Sequence, residues 1–260
     1  MDAATRRKHI VERLISQKTI SVKDIRDEFS VSLPTVRNDL DFLEQSGVVI
    51  RTFGGAILNT QAEDEHKNGH DALWYSARIT RNRGSKEKIG KLAAELVSPL
   101  DVIFLDAGTT VYQMLKEIES VDNLAVLTNS IHVCTHLMDV SRITHYLMGG
   151  AVKPISFATI GLETVKNIKE NKVNKVFLGA DGLSNDYFTV QDVNEAITKQ
   201  AMMDIATEKY LLVDTSKINK PTFVDVAKFT TLDAIITENG IYDIKGRDVE
   251  TLSSILNLDL

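Results

Sequence analysis

The first sixty residues carry apolar side chains at helical spacing; beyond residue 85 they fall in short, nearly continuous runs. Ile10, Val11, Leu14 and Ile15 make one stripe within residues 4–17, the repeat of an amphipathic helix. Ser21 suits the N-cap of a short helix over 22–29, with Val22, Ile25 and Phe29 inward. Ser32 suits the next N-cap, and Pro34 falls in the first turn, where an N–H has no helical partner. Val36, Leu40 and Leu43 form the buried face of that third helix, and Gly47 suits the position just past its end. Residues 48–52 and 56–58 are β-prone and flank Gly54–Gly55, which predicts a hairpin. Three short helices and a hairpin are the order of a winged helix-turn-helix.

Residues 59–85 are polar and without periodicity, and predict a linker with one helical turn near Trp74 and Tyr75. From Lys86 onward helices and strands alternate. Helices are expected over 86–97, from about 110, near 130–138, near 161–170 and near 193–207. Strands are expected at 102–106, 124–128, 144–148, 175–181, 209–214 and 233–237. This is the pattern of a mostly parallel sheet covered on both faces. The expected fold class is therefore α/β: a winged helix-turn-helix over 1–58, a linker over 59–85 and a mostly parallel α/β domain over 86–260.

Composition narrows the function classes. At 43% hydrophobic and 25% charged, a chain of 260 residues can bury a core and is not disordered. No apolar run reaches the roughly 20 residues of a membrane helix, and the polar start, Met1 to Lys8, is not a signal peptide. The single cysteine, Cys134, allows no internal disulfide and suits a cytoplasmic setting. Net charge is −6, but bases and acids nearly balance over residues 1–60, so the acidity lies beyond them. DNA binding needs local positive charge at phosphate height rather than a positive total.

Candidate chemistry gathers at the strand ends, where open α/β sheets bind ligands. The predicted strands end in Asp106-Ala107-Gly108-Thr109-Thr110, Thr128-Asn129-Ser130, Gly149-Gly150 with Lys153 just beyond, Gly179-Ala180-Asp181-Gly182, and Asp214-Thr215-Ser216-Lys217. Glycines admit a ligand to the backbone, hydroxyls add donors, and the helix N-termini that follow favour an anion. Lys153 and Lys217 can supply charge. A small phosphorylated polyhydroxy molecule fits this lining. For any single loop an ordinary βα turn is the stronger reading; five on one edge point to a site. Neither a Walker loop nor a dinucleotide fingerprint occurs. His132, Cys134 and His136 offer an i, i+4 histidine pair, but no fourth ligand, so a half-buried helix explains them and neither metal nor cofactor is expected.

In the first segment, Thr35, Arg37, Asn38 and Asp41 lie on the polar side of the third helix, behind its cap Ser32. Recognition helices present such residues to base edges; arginine pairs with guanine and asparagine with adenine. Arg51 and the Gly54–Gly55 tip can reach phosphate or minor groove. A plain solvated helix face and a plain turn are the competing explanations.

These residues resemble a known family. The run VSLPTVRNDLDFLEQSGVVIRTFGGAIL is similar to the winged-helix signature of the DeoR-type sugar-operon repressors. IGKLAAELV, FLDAGTT, LTNS, LMGG, FLGADG, NEAITKQAM and LLVDTSK continue the likeness in order, over roughly residues 4–238. The resemblance implies a second domain similar in fold to ribose-5-phosphate isomerase, a phosphorylated sugar as effector, and a homo-oligomer, dimer or tetramer, bound to double-stranded operator DNA and released by that effector. Matched by motif, it implies an effector site of Asp106, Gly108, Thr109, Thr110, Thr128, Asn129, Ser130, Gly149, Gly150, Asp181, Gly182, Lys199 and Lys217, and a recognition helix near Leu33–Ser46. The chain departs from the family at Arg37-Asn38, where two arginines are frequent, and at Ser98-Pro99-Leu100-Asp101, where a glycine is usual. The family's last strand is hard to find in residues 250–260.

A sugar-phosphate isomerase carrying a DNA-binding domain is the rival class. Enediol chemistry needs a carboxylate base at the substrate carbon; Asp181 is a candidate, with Asp186, Asp192 and Glu195 nearby. The isomerases carry a second aspartate where this chain has Ser184, so binding retained without turnover, and no catalytic residue, is the expectation. A protein-binding scaffold, the third class, would lack salt-dependent DNA affinity.

Overall fold

A computed structural model describes residues 2–45, 48–58, 75, 78–184 and 186–244. The chain divides into two compact units, with the boundary between Arg81 and Asn82.

The first unit contains helices α1 (Ala3–Gln17), α2 (Val22–Phe29) and α3 (Leu33–Gln45) and strands β1 (Thr19–Ser21), β2 (Val49–Thr52) and β3 (Gly55–Leu58). Asp2 caps α1, its carboxylate accepting from the Thr5 N–H. Ser21 caps α2 in a reciprocal box with Asp24. The Ser32 hydroxyl accepts from the Thr35 N–H at the start of α3. The expected stripes close one core: Ile10, Val11, Leu14, Ile25, Val36, Leu40 and Leu43 pack with Val48, Val49 and Ala56. Gly47, expected past the end of α3, lies outside the described residues, as does most of the expected linker. Strand β1 was not expected: three residues are too few to show alternation. It completes an antiparallel sheet ordered β1-β3-β2.

The second unit starts with α4 (Arg83–Ala94), three residues earlier than expected. There follow β4 (Val102–Leu105), a 3-10 turn (Val111–Met114) running into α5 (Leu115–Ile118), β5 (Leu124–Thr128), α6 (Ile131–Leu137) and β6 (Ile143–Leu147). Hairpin strands β7 (Ala151–Lys153) and β8 (Ala158–Ile160) come next, then α7 (Leu162–Lys169), β9 (Val173–Gly179), β10 (Gly182–Leu183), β11 (Tyr187–Val190), α8 (Val193–Ile205), β12 (Ala206–Leu212), β13 (Val224–Lys228), β14 (Ala234–Thr237) and β15 (Gly240–Asp243). The main sheet is ordered β15-β14-β12-β9-β4-β5-β6, all parallel except the edge strand β15. Alternation along its strands feeds two cores. Phe104, Leu178 and Leu211 face α7 and α8, whereas Ile103, Leu105 and Phe177 face α4 and α6. Two small accessories were not foreseen, the hairpin β7-β8 and the sheet β10-β11-β13. Strand β15 supplies an antiparallel edge directly after β14; residues 250–260, searched for that strand in the sequence, lie outside the described residues.

The turn before β4 carries a residue with a β-carbon in an unusual backbone conformation. Leu100 adopts φ +70°, a left-handed conformation that crowds a β-carbon against the backbone. Asp101 anchors the turn, accepting from the Ser98 N–H at 2.8 Å and the Lys175 ammonium at 2.6 Å.

Candidate functional site

In the first unit, α3 turns Arg37 and Asn38 to solvent, with Ser32 exposed and Thr35 half-buried behind them. Among the described residues Arg37 makes no ion pair, so its guanidinium is available to a partner. Two expected contacts change character. Arg51 of β2 pairs with Asp41 of α3, and its backbone N–H donates to Glu44 at 3.3 Å. These two residues therefore fasten the hairpin to the helix. Gly55 is buried in β3, where a β-carbon would lie 2.0 Å from the Ile20 carbonyl oxygen. Its lack of a side chain serves the close approach of β1. Only Gly54 of the glycine pair is exposed.

Asp39 does not stand out in the sequence. It is 1% exposed and accepts from Arg6 at 2.6 Å and Arg7 at 2.8 Å, both on α1. The Arg7 guanidinium also lies 3.8 Å from the Phe42 ring centre. A buried carboxylate flanked by two guanidiniums thus sets α1 against the helix that carries Arg37. Asp39 falls three residues after Val36, on the inward face, and that position was the available signal.

In the second unit, the chain leaves β4 toward β5 and β6 on one side and returns through β9, β12 and β14 on the other. The connections after β4 and β9 diverge there, and at such a switch point open α/β sheets form their ligand crevice, at the carboxyl ends of the strands. Asp106 sits at this point, 3% exposed. Its Oδ2 accepts from the Gly179 N–H at 2.9 Å and pairs with the ammonium of Lys199, itself 8% exposed, reaching over from α8. Gly108, Thr109 and Thr110 follow at the start of the 3-10 turn, where the first N–H groups of a helix lack internal partners. The structure thus brings Asp106, Gly108, Thr109, Thr110 and Lys199 together.

Lys86, unassigned in the sequence, joins them from the first turn of α4. It is 6% exposed and donates to the Thr109 hydroxyl at 3.1 Å. The end of β12 is tied to the same helix: Asn82 donates to Asp214 at 3.0 Å and to Ser216 at 2.9 Å. Lys217 follows, half-buried and without an ion pair among the described residues. Glu238, beyond β14, holds Thr215 through its N–H at 3.0 Å and its hydroxyl at 2.8 Å.

On the other flank, the hydroxyls of the Thr128-Asn129-Ser130 loop are spent on shape. Thr128 donates to the Leu105 carbonyl at 2.6 Å, and Ser130 caps α6. Asn129 donates to the Thr159 carbonyl at 3.1 Å, and its buried Oδ1 has no hydrogen-bond partner among the described residues. That oxygen is the loop's open acceptor.

Four expected members sit apart or do another job. Gly149 and Gly150 follow the edge strand β6, two strands from β4, and are exposed there. Gly182 is buried, and a β-carbon on it would lie 1.8 Å from the Lys220 carbonyl oxygen, so packing of β10 already requires a glycine there. Lys153, expected to supply charge, pairs with Asp192 at 3.3 Å and Glu195 at 3.1 Å. Burial pushes the Asp192 carboxyl up, but Lys153 and the N–H groups of Glu195 and Asn194 outweigh it and hold the carboxyl below the usual aspartate value. Asp181 remains half-buried beside the crevice, accepting from the Gln191 N–H at 3.3 Å.

The histidines of α6 have found other uses. His136 bridges Glu119 at 2.8 Å and Tyr112 at 3.3 Å, while His132 packs 4.4 Å from the Phe157 ring and is held below its usual pKa by burial. No group of three or more metal-capable side chains occurs among the described residues. No helix among them is long and apolar enough to cross a membrane.

A winged helix-turn-helix joined in one chain to a polar, cation-bearing crevice defines a ligand-sensing DNA-binding protein. The DeoR-like helix-turn-helix domain matches residues 6–62, and the DeoR C terminal sensor domain matches residues 81–239. The lactose phosphotransferase system repressor of Lactococcus lactis subsp. lactis is 31% identical over 261 residues, 100% of each chain. The HTH-type transcriptional repressor GlcR of Bacillus subtilis (strain 168) is 32% identical over 88% of this chain and 86% of that protein. The chain belongs to the DeoR family, whose members are regulators rather than enzymes. A ribose 5-phosphate isomerase structure from Methanocaldococcus jannaschii aligns over 52% of this chain and 54% of that one, at 20% identity and a TM-score of 0.38, too low to carry a functional argument.

Proposed function

We propose that this chain represses a carbohydrate catabolic operon in the cytoplasm, and that a phosphorylated sugar bound in the crevice releases it from the operator. The supporting observation is the buried Asp106–Lys199 pair at the divergence of β4 and β9, with Lys86 and the start of a helix beside it. The two ends of this site suit different chemistry. Lys86, Lys217, Thr109, Thr110 and the first N–H groups of the helix suit a phosphate. Asp106, Asp181 and the Asn129 oxygen suit sugar hydroxyls, which donate.

Arg37 and Asn38 read base edges in the major groove, and Ser32, Thr35 and the wing tip at Gly54 lie along the same surface. Asp41 acts indirectly, by holding Arg51. The working species is a homo-oligomer, dimer or tetramer, whose paired heads meet half-sites about 34 Å apart or a multiple of that. Release needs a coupling between effector and DNA of only about 1–3 kcal/mol. The test is a thermal-shift screen of sugar phosphates against their unphosphorylated parents, because a ligand that binds the folded state raises its stability. A shift with at least one phosphorylated sugar and none with its parent supports the assignment; no shift across the panel contradicts it.

A further inference from the structure

Phe53 stands at the apex of the wing with its side chain fully in solvent, 108% exposed relative to a reference residue. The apex is a three-residue turn closed by a bond of 2.7 Å from the Gly54 N–H to the Thr52 carbonyl. The backbone around it is pinned from three directions. The Gly54 carbonyl accepts from the Val22 N–H at 2.7 Å, Gly55 lies under the Ile20 carbonyl, and Arg51 is fixed to α3 through Asp41 and Glu44. The aromatic ring is thus held on a stiff support, in a fixed relation to Arg37 and Asn38. Among the described residues it has no packing partner that would explain an apolar residue there.

We propose that Phe53 is a DNA-contacting residue, whose ring presses into the minor groove flanking the major groove that α3 reads, and that it selects sequence through the ease with which a base step there opens. The inference rests on the proposed operator binding. Two features favour duplex DNA over a protein partner. The support is tied to the recognition helix itself. The nearest charge on the wing, Arg51, is already neutralised by Asp41, which leaves shape rather than phosphate attraction for the tip to use. Apolar wedges in the minor groove unstack flexible steps and gain contact area in the bent duplex. A pre-set backbone spares the ordering cost of making such a contact.

The test uses the full-length protein and a short fluorescent duplex that it selects from a randomised pool. Phe53→Ala is expected to weaken binding about tenfold, with the salt dependence of affinity unchanged because no phosphate contact is lost. Phe53→Leu, also a wedge-forming side chain, is expected to recover most of the loss. With 2-aminopurine at the flanking steps, the wild type should brighten one step and Phe53→Ala should not. Equal affinity for wild type and Phe53→Ala, or an altered salt slope, would overturn the assignment. If instead the wild type selects no duplex at all, it is the operator-binding proposal that fails. Since Phe53 buries nothing, an unchanged melting temperature in Phe53→Ala excludes misfolding as the cause.

Discussion

The ammonium of Lys199 meets the carboxylate of Asp106 with side-chain exposures of only 10% and 4%, directly over the Gly179 N–H. Two elements far apart in sequence, the loop after β4 and the middle of α8, thus hold each other across the crevice. Removing one member of a buried pair strands the other, at a cost of about 3–5 kcal/mol. Asp106→Ala is therefore expected to lower stability as well as function. Asp106→Asn keeps an acceptor for Gly179 but loses the charge. We expect it to bind DNA with unchanged affinity and to resist release by effector, measured by fluorescence anisotropy alongside a melt. Normal release would remove Asp106 from the site.

Arg37 is exposed and without an ion pair among the described residues, so its loss leaves the core of the first unit intact. Arg37→Ala is expected to weaken binding to the selected duplex by about 1–3 kcal/mol and relax its preference at one base pair. Effector affinity, followed by calorimetry, should stay the same. Uniform weakening on every sequence would make Arg37 a phosphate contact instead.

Leu100, at φ +70°, occupies the turn before β4. A left-handed conformation costs a residue with a β-carbon about 1–2 kcal/mol, and glycine gives part of that back through a more flexible unfolded chain. Leu100→Gly is expected to stabilise the second unit by about 0.5–1 kcal/mol in urea unfolding. The side chain is 76% exposed, so little packing is lost. Destabilisation would show that the turn is not strained.

Asp192 caps α8, its Oδ1 accepting from Asn194 at 2.7 Å and Glu195 at 3.2 Å, and it pairs with Lys153. Its pKa in the folded protein is depressed, so its charge stabilises the fold above the unfolded value of about 3.9. That contribution fades as pH falls through the lower, folded value. Asp192→Asn retains a capping side chain without the charge. It should be less stable than wild type at pH 7, and the gap should close below about pH 3.9. A gap that is constant with pH would assign the whole effect to the cap.

The sequence made much of this legible because its signals were local. The caps Ser21 and Ser32, the stripe Val36-Leu40-Leu43 and the continuous strands of the parallel sheet each declare themselves within a few residues. Two kinds of feature escaped. Elements too short for periodicity, such as β1 and the hairpin β7-β8, show no alternation to read. Pairings across the fold leave no local trace: Lys86 with Thr109, Asp39 with Arg6 and Arg7, Glu238 with Thr215. The glycines illustrate the same limit. Gly55 and Gly182 read in the sequence as contact positions for DNA and effector, but that another strand or carbonyl passes close to each has no local trace.

The most direct trial of the central claim is release of a preformed protein–DNA complex, read by anisotropy, as sugar phosphates and their parent sugars are titrated into wild type and Lys86→Met. A phosphorylated sugar should dissociate the wild-type complex while its parent sugar does not. Lys86→Met should bind the duplex normally yet need at least about tenfold more effector, the loss of roughly one charge-assisted hydrogen bond. Equal potency of the unphosphorylated sugar, or unchanged sensitivity in Lys86→Met, would contradict a phosphate seat beside Thr109.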